Sequence, residues 1–158
     1  MNRKRRAFTI MEIVVAMALM SVVILSVFMM NQSANQNSMD AYYEMLAFSL
    51  AREPIEVFRG FGYETSVKIC RNNELSPSLY KVGELVDIEY NPEIDLQYPV
   101  DAENFQRYIE LEERVSKNNA KYVNIRVTVA PKGLSKAEIW FSRKSVMLES
   151  AIMEIPKW

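Results

Sequence analysis

The chain has 158 residues, 49% of them apolar and 25% charged, enough for one ordinary domain plus an additional segment. It contains no histidine and one cysteine, which removes the commonest general base near neutral pH, histidine metal ligands, a thiolate zinc cluster and an internal disulfide. A formal charge of −1, which becomes −5 without the four cations at the N-terminus, argues against nucleic-acid binding through a broad basic surface.

The first element is a basic leader, Arg3-Lys4-Arg5-Arg6, followed by Ala7-Phe8-Thr9-Ile10-Met11-Glu12. From Ile13 to Met30 there are eighteen residues without a charge. Phe8 to Met30 spans roughly 34 Å as a helix, enough to cross a bilayer. Four cations hold the leader in the cytoplasm by the positive-inside bias, so the rest of the chain is exported. Glu12 then sits at the start of an apolar segment, where an ionised group is costly, roughly 2.5 to 3.5 kcal/mol at mid-bilayer and less near the interface. A simple anchor gains nothing from such a residue. A secretory signal peptide needs only the charged leader and the apolar core, but cleavage after this core finds a poor site in Asn31-Gln32-Ser33-Ala34-Asn35. Cleavage before the core, between Ala7 and Phe8, puts a small residue ahead of the scissile bond. It also frees an α-amino group on Phe8, one turn from Glu12 and at the positive end of the helix dipole.

No glycine or proline occurs from Met1 through Glu53, which predicts one unbroken helix. Asn31 to Ser38 form a polar collar. Beyond it Tyr43, Leu46, Ala47, Leu50, Pro54, Val57, Phe58 and Phe61 recur at helical spacing, with Asp40, Glu44, Glu53 and Glu56 largely off that face. Pro54 is expected to kink the helix or mark its last turns, and Gly60 and Gly62 to end it. The methionines of the apolar half read as packing residues, and Ser21 and Ser26 as hydrogen-bonding either their own helix or a neighbouring one.

Residues 61–105, with Pro77, Pro92 and Pro99, read as a long connection holding short strands such as Val86 to Tyr90. Its acids Asp87, Glu89, Glu93, Asp95, Asp101 and Glu103 offer oxygen ligands suited to calcium, but lack EF-hand spacing. A solvated acidic loop is the favoured reading. Cys70 is expected to be buried. Tyr108 to Glu112 alternate as a strand, Ser116 to Asn119 turn the chain, and Val123, Ile125, Val127 and Val129 form the inner side of the next strand. After the Pro131-Lys132-Gly133 turn, Ala137, Ile139 and Phe141 are predicted to alternate as a third. A meander covering an amphipathic helix is an α+β arrangement. Adjacent acids such as Glu112 and Glu113 point to opposite faces of a strand, and no glycine-rich phosphate loop is present, so no catalytic constellation and no cofactor are predicted.

The leader, Ala7, Phe8 and Glu12 together resemble type IV prepilins and the pseudopilins of type II secretion, with Ala7 standing where that family normally has glycine. The resemblance implies the pilin-like fold, a long N-terminal helix on a C-terminal antiparallel sheet. It implies recognition of Arg3, Lys4, Arg5 and Arg6 and cleavage at Ala7-Phe8 by prepilin peptidase, N-methylation of Phe8, and pairing of Glu12 with the N-terminus of a neighbouring subunit. The organisation so implied is a leader at 1–7, a transmembrane and polymerising half-helix at 8–30 and an amphipathic half at 31–60. An exported head at 61–158 follows, with a variable loop region at 61–105 and the sheet at 106–150. The implied partners are other pilin or pseudopilin subunits and the inner-membrane assembly platform with its ATPase. The implied location is the inner membrane, single-pass with the N-terminus cytoplasmic, and then a periplasmic or surface filament. Strand spacing in 108–146 looks more like minor than major subunits. The alternatives are a type II secretion pseudopilin, and a single-pass anchor carrying a periplasmic binding or sensing domain without polymerisation.

Overall fold

A computed structural model describes residues 9–88 and 98–154. Arg3 to Phe8, and Glu89, Glu93 and Asp95 of the acidic loop, lie outside the described residues. The chain divides into two units, Met1–Ser38 and Met39–Trp158, and helix α1, Ile10–Arg71, supplies residues to both.

In the first unit the apolar side chains from Ile10 to Met30 are all exposed. By length and composition this stretch of helix can cross a membrane, and none of its apolar window is buried within the protein. A helix is the form in which a single segment satisfies its backbone polar groups without water. Ser21 and Ser26 close the same account locally, their hydroxyls donating to the carbonyls of Met17 and Val22 at 2.8 Å each.

In the second unit, α1 packs on a four-stranded sheet of order β1-β2-β3-β4, antiparallel throughout. The strands are β1, Leu85–Asp87; β2, Phe105–Val115; β3, Lys121–Pro131; and β4, Val146–Met153. Tyr43, Leu46, Ala47, Leu50, Ala51, Pro54, Ile55 and Phe58 bury one helical stripe. They join Phe105 and Ile109 of β2 and Ile125, Val127 and Val129 of β3 in one core. The β2–β3 register runs from Phe105 opposite Pro131 to Val115 opposite Lys121. Asn119 closes the hairpin at φ 61°, a left-handed conformation that asparagine tolerates better than most residues. The result is the α+β arrangement read from the sequence, a long N-terminal helix on an antiparallel sheet, consistent with the pilin-like fold.

Several local expectations are corrected. Gly60 stays helical; the expected stop falls at Gly62 (φ 75°, ψ 178°), where helical geometry breaks, and the unexpected part is that the helix resumes beyond it to Arg71. Ser66, fully buried, donates to the Gly62 carbonyl at 2.8 Å and lies 3.4 Å from the Phe58 carbonyl in the turn before the break. Pro54 lies on the buried side of the helix as expected, but helical geometry breaks at Gly62 rather than at the proline, and Phe61 is exposed. The alternation of Ala137, Ile139 and Phe141 is not a strand but a short helix, α2, Lys136–Trp140, and the strand that follows β3 is β4. Cys70 is only half-buried, its thiol donating to the Leu111 carbonyl at 3.4 Å.

Candidate functional site

The start of α1 is organised around Thr9 and Glu12. The Glu12 backbone N–H donates to the Thr9 hydroxyl at 3.3 Å, and the Thr9 N–H and hydroxyl donate to Glu12 Oε2 at 3.0 and 3.2 Å. This is a reciprocal capping box, in which a threonine N-cap and a glutamate three residues on satisfy two orphan N–H donors. The carboxylate also lies at the positive end of the helix dipole, where an acidic side chain is well placed. Glu12 shares a helical face with Val15, Ala16 and Leu19, all apolar and exposed. An anion is therefore presented at the head of an unpartnered apolar stripe. Chemically it can accept a cation brought to that face, but only in competition with Thr9. The residues expected to complete the site, Arg3 to Arg6, Ala7 and Phe8, lie outside the described residues.

A second polar cluster, in the head, escaped the sequence reading. Glu53, which the sequence pattern sets off the buried face, accepts the Tyr80 hydroxyl on Oε1 at 2.5 Å and the Tyr98 hydroxyl on Oε2. Arg107 of β2 is 6% exposed and reaches Glu53 Oε2 at 3.4 Å. It also donates to the Leu79 carbonyl at 3.0 Å and lies 4.8 Å from the centre of the Tyr80 ring. Burial, and next the bond to Glu53, pushes the Tyr80 and Tyr98 phenols well above their ordinary value, so both stay protonated and donating. Both Glu53 oxygens are engaged, so the cluster works as a fastener between α1, β2 and the segments around Tyr80 and Tyr98. The spacing signal was present: Glu53 lies three residues after Leu50 and beside Pro54, at the edge of the buried stripe, and is itself half-buried.

Asp40 and Glu44 also face the head. Asp40 accepts the Ser142 N–H at 2.8 Å and hydroxyl at 2.7 Å, and Arg143 pairs with Glu44 at 2.9 Å. Those two Ser142 bonds, the backbone one first, hold the Asp40 carboxyl below the ordinary range. In the acidic loop, Asp87 pairs with Lys132 and Asp101 accepts the Tyr42 hydroxyl. Among the described residues no group of three or more acidic, histidine or cysteine side chains is placed to hold a metal ion.

The comparisons with known proteins bear on the N-terminal site. The family model for the prokaryotic N-terminal methylation motif matches residues 2–28, which takes in the leader, Ala7, Phe8, Glu12 and most of the apolar segment. No curated protein and no solved structure matches the chain. The motif implies processing by prepilin peptidase and assembly with other pilin subunits, and with the exposed apolar helix it points to membrane anchoring. It marks a family of pilin-like structural subunits rather than of enzymes. The chain carries the prokaryotic N-terminal methylation motif at the head of a long apolar helix, the combination characteristic of type IV pilins and pseudopilins.

Proposed function

We propose that the protein is a minor pilin-like subunit of a type IV pilus or related filament, held by its apolar segment in the inner membrane and then extracted into the polymer by an ATPase-driven assembly platform. Prepilin peptidase cuts between Ala7 and Phe8 after recognising the cations Arg3 to Arg6, and the new amine of Phe8 is N-methylated. Glu12 then receives the mature N-terminus of a neighbouring copy. The reading is carried by one observation: a carboxylate ordered at the start of an apolar stripe, inside a matched methylation motif. In low dielectric an isolated carboxylate and an isolated amine each cost several kcal/mol, and pairing them offsets much of both costs. Because a slip of one helical turn separates the pair, it specifies axial register while apolar packing supplies attraction.

Intact-mass measurement and N-terminal sequencing of assembled material test this directly. The expected mature chain begins at a methylated Phe8. A chain beginning at Asn35, or a functional chain that keeps its arginine-rich leader, overturns the reading. A type II secretion pseudopilin uses the same processing, so co-purification with secretion-channel components rather than with pili separates the two systems.

A further inference from the structure

The turn between β3 and β4 presents an apolar surface that the core does not use. Leu134 is fully exposed, Ile139 is 77% exposed and Trp140 is 37% exposed. Leu134 also has φ 62°, in the left-handed region where a leucine side chain is strained. A leucine there is disfavoured twice, by its backbone and by water, and asparagine or glycine serves such a position at lower cost. The local structure enforces this display. Ser135 caps α2 by accepting the Glu138 N–H at 3.3 Å, and Glu138 in turn accepts the Leu134 N–H at 2.5 Å. Ala137 and Phe141 point into the core, which leaves Ile139 and Trp140 facing out.

Charge surrounds this surface unevenly. Lys132 is paired with Asp87, and Arg143 with Glu44. Lys136 and Lys144 have no partner among the described residues. Of the acids close by, Glu138 is turned back on the Leu134 backbone and Asp101 holds Tyr42, which leaves Glu103 as an exposed acid on the 3-10 turn Val100–Asn104 packed against α2. Three apolar side chains cover roughly 300 Å², against about 800 Å² per partner in a stable protein interface. The patch is too small for a free protein partner, but it suits a surface already held close by.

We propose that Leu134, Ile139 and Trp140 insert into the interface of an anionic lipid bilayer, with Lys136 and Lys144 at the headgroups. An aliphatic and aromatic tip flanked by lysines is the composition that the lipid–water boundary accepts. The bilayer is available in cis, which rests on reading the apolar segment as membrane-spanning. The α2 turn is tied to α1 at Asp40 and Glu44, and Asp40 follows Met30 by ten residues. Whatever conformation those ten residues take, they reach no further than about 35 Å. The tether therefore keeps the patch at high effective concentration over one membrane surface, and weak insertion suffices.

The test uses the full chain with Trp158→Phe, which leaves Trp140 as the sole tryptophan, reconstituted into phosphatidylethanolamine–phosphatidylglycerol vesicles. Lipids brominated near the top of the acyl chain are expected to quench Trp140 emission about twofold. Leu134→Asn should abolish that quenching while melting no lower than the parent, because the substitution relieves the strained backbone. Lys136→Glu with Lys144→Glu, or a change to phosphatidylcholine vesicles, should weaken it. Unquenched Trp140 in protein that still floats with the vesicles overturns the proposal and leaves the membrane anchor standing. Protein that fails to float overturns both. Protection of Trp140 from iodide that depends on protein concentration and not on brominated lipid assigns the patch to a second copy and overturns the lipid reading. Equal quenching in neutral and anionic vesicles does so for the anionic preference.

Discussion

Glu53 and Arg107 show how one buried pair ties distant parts of the chain together. Removing one partner of such a pair leaves the other charged and largely out of water, which costs more than the pair contributed. Arg107→Met is expected to destabilise the head by about 3 kcal/mol in urea unfolding, and adding Glu53→Leu should recover part of the loss. A double variant no more stable than the single one would show that Glu53 does not depend on Arg107. The phenols of Tyr80 and Tyr98 give the cluster a pH signature. Their folded values are raised above the ordinary 10.0, so their contribution is fully present below about pH 10 and is lost as the pH climbs toward those raised values. Thermal melts between pH 8 and 11 should fall at the alkaline end, and Tyr80→Phe with Tyr98→Phe should flatten that fall.

Among the elements, α1 and α2 each teach something about how sequence signals compete. Gly60 and Gly62 look alike as helix stops, yet only Gly62 adopts a positive φ, and a Cβ added at either meets nothing within 4 Å. Backbone conformation alone therefore decides the sign of a substitution. Gly62→Ala is expected to cost about 1–2 kcal/mol, and Gly60→Ala to stabilise by about 0.4–1 kcal/mol. Equal shifts in melting temperature for the two would remove that distinction. In α2, the period-two pattern of Ala137, Ile139 and Phe141 suggested a strand. The competing signal was Ser135 three residues before Glu138, a capping box, and it prevailed because five residues make barely more than one helical turn. With so few residues the buried pair Ala137 and Phe141 satisfies either period, and the cap is the better discriminator.

For the whole molecule, the working expectation is that Glu12→Ala leaves membrane retention intact and strongly reduces incorporation into filaments. Fractionation measures the first and shear-released filament composition the second. Incorporation equal to the parent's would take the assembly role away from that carboxylate. Much of this was legible in the linear chain. The basic leader, the uncharged run from Ile13 to Met30 and Glu12 act through solvent partition and chain order, which need no tertiary partner to be read. The alternation in β3 and the stripe from Tyr43 to Phe58 were equally readable, since a period of two or 3.6 marks the face an element must bury. Tertiary structure alone decided what each polar residue of the head touches. Glu53 found Arg107 and Tyr80 because packing brings together residues 54 and 27 positions apart. Asp40 found Ser142 across 102 positions, and no local period encodes such pairings. The same packing turned Leu134 outward in a strained conformation, because a short helix between β3 and β4 could bury Ala137 and Phe141 only by displaying its neighbours.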